Sequence, residues 1–285
     1  MPTTIETIKT KKVRTGDYES FIMEGGEQNS EKVIFLHGSG PGVSGKSNWQ
    51  KVFPSYFDNF HVIAPDFIGF GRTDHPEDPP KNGTEWVRAR VDQIINLMDE
   101  MKIEKAHLVG NSLGGVMALH LLMHAPDRFK KVVLMGAGGG RFEPSPELMK
   151  LQHFHRDPNP IAFENLLRWF VADESVIEEE IKQIVEERLE LFNRPEVYKS
   201  YIANFKDSTL ADLSVPPSAF KRMKHEFLLI HGKEDRFVPL ESSLYMLDYL
   251  ENAQLHVFRK CGHWAQVEQK DRFIKLTNDF FNDEL

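Results

Sequence analysis

Apolar positions along the chain fall into short solid runs separated by amphipathic stretches, so the hydrophobic period switches repeatedly between strand-like and helix-like. Thr7–Val13 and Tyr18–Met23 read as two short polar strands at a hairpin-like edge. Lys32-Val33-Ile34-Phe35-Leu36-His37 is β-branched and aromatic, the profile of a strand buried on both faces, and stops at a glycine-rich loop from Gly38 to Gly45. A helix is expected over Trp49 to Phe57. His61–Asp66 is the next strand, with the turn-rich Gly69-Phe70-Gly71 behind it. Thr84 reads as the cap of a helix running to about Met101, and Ala106–Val109 and Lys131–Met135 as further strands. Strands alternating with helices at this spacing predict an α/β protein with a mostly parallel sheet covered on both faces.

The pattern changes after Gly136-Ala137-Gly138-Gly139-Gly140. A proline-rich loop leads into helical segments at about Phe163–Val171, Val176–Phe192 and Glu196–Phe205, with no strand among them. Alternation resumes at Phe227–His231 and continues through Leu255–Phe258 to a C-terminal helix. Residues 1–136 and 214–285 are therefore expected to form one core domain, and residues 137–213 a helical cap over the C-terminal strand ends, where open α/β sheets bind ligands. The flanking glycines serve either as hinges or as plain connectors.

The stretch richest in chemistry is Gly110-Asn111-Ser112-Leu113-Gly114, set between a strand and a helical segment. Gly-x-Ser-x-Gly in that context is a turn so tight that the serine takes strained geometry, with its hydroxyl exposed at a helix N-terminus. A serine needs a positioned base, itself oriented by a carboxylate, and after such a turn the expected order is serine, acid, histidine. Asp235 follows the Phe227–His231 strand and His263 follows Leu255–Phe258, so two strand ends bring both beside Ser112. Glu234 is the alternative acid. The oxyanion formed on attack needs two backbone donors: Leu113 supplies one, and Ser39 or Gly40 in the loop after the third strand supplies the other.

Other motifs compete for attention. Gly40-Pro41-Gly42-Val43-Ser44-Gly45-Lys46-Ser47 fits the P-loop pattern in full, with Asp66 at a strand end as its magnesium partner. Against nucleotide binding, Pro41 removes a cradle N–H and Pro54 cuts short the helix that would carry the phosphates. His120 and His124 have the spacing of a helical metal pair but lack a third ligand. Cys261 reads as a small packed residue, and Glu178–Glu180 with Glu186-Glu187 as a solvated helix face. Composition narrows the partners. Lys+Arg 35 against Asp+Glu 43 gives −8 in 285 residues without a basic block, which argues against nucleic acid. No apolar run reaches the roughly 20 residues of a membrane span. Met1–Glu6 lacks the features of a signal peptide, and the lone cysteine precludes an internal disulfide. A cytoplasmic location is the expectation.

With these residues in view, the chain resembles the α/β-hydrolase superfamily over nearly its whole length, and more specifically the meta-cleavage-product hydrolases, which cleave a carbon–carbon bond in aromatic-ring degradation. The marks are His37-Gly38-Ser39-Gly40-Pro41-Gly42 with Ser47-Asn48-Trp49, then Gly110-Asn111-Ser112-Leu113-Gly114-Gly115, Gly232-Lys233-Glu234-Asp235-Arg236-Phe237-Val238-Pro239, and Cys261-Gly262-His263-Trp264-Ala265-Gln266. General esterases of the fold usually carry histidine in place of Asn111. The resemblance implies an eight-stranded α/β-hydrolase sheet with a helical cap, and hydrolysis of a 2-hydroxy-6-oxohexa-2,4-dienoate to 2-hydroxypenta-2,4-dienoate and a carboxylic acid, without metal or cofactor. It assigns the catalytic roles to Ser112, Asp235 and His263, and the oxyanion hole to Ser39 and Leu113. Substrate binding falls to Gly40, Asn48, Asn111, Arg188, Phe237 and Trp264, with Arg168 and Arg194 as alternatives to Arg188 for the carboxylate. Relatives commonly assemble, so a homo-oligomer is expected. Two other readings remain at this level, a carboxylesterase with the same triad and a small-ligand receptor on a hydrolase scaffold.

Overall fold

A computed structural model describes residues 8–206 and 208–285. Its centre is an eight-stranded sheet in the order β1-β2-β4-β3-β5-β6-β7-β8. The strands are β1 (Lys9–Thr15), β2 (Tyr18–Gly25), β3 (Lys32–Leu36), β4 (His61–Pro65), β5 (Ala106–Asn111), β6 (Phe129–Met135), β7 (Phe227–Gly232) and β8 (Ala253–Phe258). Only β1 and β2 run antiparallel to their neighbours; β4 through β8 form a parallel array. Of the first expected strand, Thr7 lies outside the described residues.

Alternation along the parallel strands divides the core. Ile34, Leu36, Leu108, Val132, Leu134 and Leu229 face one way, onto α2 (Gly83–Glu100) and α3 (Leu113–His124). Val33, Phe35, Val109, Val133, Leu228 and Ile230 face the other, onto α1 (Gly45–Trp49) and the C-terminal helix. Both faces of the inner parallel strands β3, β4, β5 and β7 are thus dry, which explains their mostly apolar runs, whereas the edge strand β8 (Ala-Gln-Leu-His-Val-Phe) stays half-buried.

Between β6 and β7 lie α4 (Pro146–Gln152), α5 (Pro160–Arg168), α6 (Ile181–Phe192), α7 (Pro195–Lys206), α8 (Leu210–Leu213) and α9 (Pro217–Phe220). The first four share their own apolar cluster around Phe154, Phe163, Leu167, Phe192 and Tyr201. The fold closes with α10 (Leu240–Tyr249), α11 (Ala265–Glu268) and α12 (Lys270–Phe281).

Several boundaries differ from expectation for local reasons. The helix expected over Trp49–Phe57 is instead α1, capped by Ser44 and ending at Trp49, followed by a separate 3₁₀ turn over Phe53–Tyr56, because Pro54 cannot donate into a continuing helix. Asn82, not Thr84, caps α2: its side chain accepts the Glu85 N–H at 2.9 Å, leaving Thr84 inside the first turn. The stretch read as a proline-rich loop contains α4, with Ser145 as cap and Pro146 in the first position, where the absent N–H costs nothing. The helix expected from Val176 begins at Ile181, so Glu178–Glu180 form an exposed turn ahead of it.

Candidate active site

The tight turn at the end of β5 places Ser112 at φ 55°, ψ −114°, strained for a residue with a Cβ. Room for that turn comes from its glycines. A Cβ on Gly114 would stand 2.1 Å from the Leu36 carbonyl oxygen, and one on Gly110 would stand 2.5 Å from that of Gly114. Ser112 donates its own N–H to the Met135 carbonyl at 3.1 Å, tying the turn to β6. Leu113 occupies the first position of α3, where no intrahelical acceptor exists for its N–H.

Asp235 and His263 meet as the strand order requires, since β7 and β8 are parallel neighbours. His263 Nδ1 lies 2.6 Å from Asp235 Oδ2, and both side chains are buried. The other carboxylate oxygen accepts the N–H groups of Phe237 (2.8 Å) and Val238 (3.0 Å), so the acid is held by its own loop and aims one oxygen at the imidazole. Glu234 points elsewhere, its carboxylate accepting the Cys261 N–H at 3.0 Å and clamping the loop that carries the histidine. Glu268 adds a second clamp by accepting the N–H groups of Gly262, Ala172 and Asp173, which joins this loop to the helical layer.

The loop after β3 is equally constrained. Buried His37 donates through Nδ1 to Gly38 O at 2.6 Å and accepts the Phe67 N–H at Nε2 (2.9 Å), and burial pulls its pKa down to about 3, so it is neutral. Asn48 Oδ1 accepts the Gly38 N–H at 3.0 Å, while its Nδ2 is buried without a partner. Asn111 Nδ2 donates to Met135 O at 3.1 Å.

These residues border two spaces that share Ser39. The smaller is walled by Ser39, Asn48, Asn111, Arg188, His263 and Trp264. The larger contains Ser39, Ser112 and Leu113 and is otherwise mostly apolar. Arg188 is 5% exposed, and its Nε donates to Pro41 O at 3.0 Å. Its guanidinium lies 5.2 Å from the centre of the Phe163 ring. Burial lowers its pKa to about 10, and no carboxylate pairs with it among the described residues. Gly40, at φ 143°, leaves space for the guanidinium: a Cβ there would meet Nη2 at 3.2 Å. Arg168 is instead bound to Glu164, Glu174 and Glu178 on the surface, and Arg194 lines an open groove with Lys12, Arg72 and Glu196.

Trp264 forms one wall, whereas Phe237 lies behind it in a three-ring stack, 4.0 Å from Phe170, which is 4.5 Å from Trp264. Phe170 went unrecognised in the sequence, as did Trp86 and Arg90 on α2. A signal for Arg90 existed: it falls on the buried stripe with Trp86, Val87, Val91 and Ile94, where a charged residue is out of place. Asp66, the acid that completed the P-loop resemblance, accepts the N–H groups of Gly45 (2.6 Å) and Arg72 (2.8 Å) and so caps backbone. Buried Cys261 has its thiol pKa pushed up by desolvation. No cluster of three metal-ligating side chains occurs among the described residues, nor any helix long and apolar enough to cross a membrane.

A serine turn at the end of the central strand β5, an acid and a histidine at the ends of β7 and β8, and helices laid over them define a hydrolase scaffold. The profile of the alpha/beta hydrolase fold matches residues 32–270. The 2-hydroxymuconate semialdehyde hydrolase of Pseudomonas sp. (strain CF600) is 37% identical over 251 residues, covering 87% of this chain and 86% of that protein. The 2-hydroxy-6-oxo-6-phenylhexa-2,4-dienoate hydrolase of Burkholderia cepacia is 38% identical over 256 residues, 88% of this chain and 87% of the other. The solved structure of the enzyme with that activity from Rhodococcus sp. strain RHA1 superposes with a TM-score of 0.93 at 39% identity, covering 97% of this chain and 99% of the other. The chain belongs to the alpha/beta hydrolase family and, within it, to the meta-cleavage-product hydrolases, enzymes that hydrolyse a carbon–carbon bond.

Proposed function

We propose that this enzyme hydrolyses the C5–C6 bond of 2-hydroxy-6-oxohexa-2,4-dienoates, with Ser112 as nucleophile, His263 as proton carrier and Asp235 as its orienting acid. Arg188 carries this reading: a buried guanidinium with no carboxylate partner among the described residues, sharing a compartment with His263 and with an unpartnered Asn48 amide, suits the C1 carboxylate and 2-oxygen of such a substrate. Gly40, Asn111 and Trp264 complete that compartment, with Phe237 bracing it from behind.

A carbanion leaves poorly, so the dienol first shifts to its keto tautomer, C5 gaining a proton as the 2-oxygen loses one. Ser112 then adds to the C6 ketone as His263 takes the hydroxyl proton, and the N–H groups of Leu113 and Ser39 receive the oxyanion. Collapse breaks C5–C6, the electron pair delocalises into the 2-oxo acid as a dienolate, and its 2-oxygen takes the proton held by His263 to give 2-hydroxypenta-2,4-dienoate. Water, deprotonated by the same imidazole, releases the acyl group as a carboxylic acid and restores the serine.

Residues 137–213 act in this reading as the cap that excludes bulk water. The reading also carries the expectation of a cytoplasmic homo-oligomer, testable by fractionation and sedimentation. The decisive experiment follows the dienoate's visible absorbance. Wild type is expected to deplete it faster than it turns over a neutral aryl ester, while Ser112→Ala binds the dienoate and leaves the absorbance intact for many minutes. Wild-type turnover in that variant removes the nucleophile assignment, and a clear preference for the ester makes the protein a carboxylesterase.

A further inference from the structure

A second histidine stands behind the acid. His231, the last residue but one of β7, is fully buried, and its Nε2 lies 3.5 Å from Asp235 Oδ2, the same oxygen that meets His263 Nδ1 at 2.6 Å. That Nε2 is also 2.9 Å from Val238 O, and Nδ1 is 2.7 Å from Ser243 Oγ on α10. The steps assigned to Ser112, Asp235 and His263 use neither His231 nor Ser243.

The two partners fix the ring's tautomer. A carbonyl only accepts, so the proton sits on Nε2, and the bare Nδ1 receives the Ser243 hydroxyl. Burial lowers the pKa of His231 and keeps the ring neutral beside the carboxylate. Asp235 Oδ1 is already occupied by the N–H groups of Phe237 and Val238. Oδ2 therefore faces His263 on one side and the Nε2–H of His231 on another. Gly136 closes a third, since a Cβ there would stand 3.1 Å from both Oδ2 and His263 Nδ1.

An N–H aimed between Val238 O and Asp235 Oδ2 has two effects. It fastens the turn that carries the acid, and its positive end draws charge from the oxygen against which the imidazolium of His263 forms. With more charge on that oxygen, the imidazolium would hold more tightly the proton it has to pass to the dienolate. A cation in the same place would discourage the imidazolium from forming at all. The other titratable groups around the pair are Glu241 of α10, Glu234, bound to the Cys261 N–H, and the Cys261 thiol, directed at Gly262 O.

The structure assigns His231, held in one tautomer by Ser243, as a positioning residue that aims Asp235 and tempers its charge toward His263. This rests on the triad reading above and extends the machinery by two residues, to the start of α10.

The test compares His231→Leu, which removes the donor, with His231→Gln, which returns one near the Nε2 position. In His231→Leu the dienoate kcat is expected to fall about tenfold with KM within about twofold, and the acid limb of the kcat/KM profile to move up by ~0.5 pH unit. His231→Gln is expected to restore most of kcat and to bring the limb back toward its wild-type position. A loss of kcat with the limb in place, or equal defects in the two variants, reduces His231 to packing and overturns the inference. An NMR titration of the His263 ring reads the same displacement without substrate, so failure to turn over any dienoate counts against the reaction and leaves this test standing. If His231→Leu does not fold, Ser243→Ala replaces it. Without the hydroxyl the His231 proton is free to move to Nδ1, so the His263 titration is expected to shift upward there too, and an unmoved titration rejects the assignment.

Discussion

Arg188→Met is expected to move stability and activity in opposite directions. Burial takes the guanidinium from its ordinary value down to about 10, which amounts to roughly 3 kcal/mol spent on keeping it charged in the ligand-free protein. For a base with a lowered folded pKa this cost is present in full below pH 10 and eases only as the pH climbs from there toward the ordinary guanidinium value. Methionine fills much of the same space without charge, but it gives up the hydrogen bond to Pro41 O and strands that carbonyl, a loss of about 1–2 kcal/mol. The ligand-free variant should therefore be as stable as wild type or up to about 2 kcal/mol more so, read by urea unfolding. Catalysis should suffer, because a buried carboxylate deprived of its partner costs about 3–5 kcal/mol, a fall of roughly 150- to 5,000-fold in dienoate kcat/KM. Turnover of a neutral aryl ester should change by less than about threefold, a shift of under 1 kcal/mol. A stability loss above about 2 kcal/mol, together with parallel losses on dienoate and ester, would refute the reasoning by making Arg188 a structural residue.

Two further outcomes follow from the loop that Arg188 touches. His37 has its folded pKa lowered to about 3 by burial, so the stability it confers is full above its ordinary 6.5 and is lost as the pH falls through that value toward 3. Unfolding at pH 5 should show about 2 kcal/mol less stability from this residue than at pH 7.5, and a flat profile across that window would mean that the ring titrates in the fold as it does in the unfolded chain. Gly42→Ala places a Cβ 1.9 Å from the Arg188 carbonyl oxygen at φ 59°. It should cost about 2 kcal/mol or more and raise the dienoate KM, and unchanged values on both counts would show slack where the structure has none.

The positions of Ser112, Asp235 and His263 were legible because each follows a strong local signal, a strand ending in a turn, and parallel strands deliver such ends to one edge. Asp235 is the acid expected from the sequence, and what holds its second oxygen, the N–H groups of Phe237 and Val238, is a contact that spacing alone does not encode. Arg188 was harder to place because Glu186 and Glu187 flank it; helical geometry sends both to solvent while Arg188 turns inward. Arg90, Trp86 and Phe170 escaped notice because their roles depend on where the helical layer lies, which is set by packing between segments remote in sequence. Helix α4 is hidden for a different reason: prolines read as loop formers, yet Pro146 occupies the first position of a helix.

The glycine-rich loop between β3 and α1 spells a phosphate cradle letter by letter, yet its glycines are negative space shaped by the chain itself. Gly40 stands back from a guanidinium, Gly42 from the backbone of α6, and Gly45 from the carbonyl of Ala64, to which its Cβ would come within 2.9 Å. The same string thus encodes room for a visitor in one fold and room for a resident in another. Any replacement of Arg188 designed to widen the pocket is free to change the side chain, but the α6 backbone at that position must keep its path, because residue 42 has been whittled to fit it.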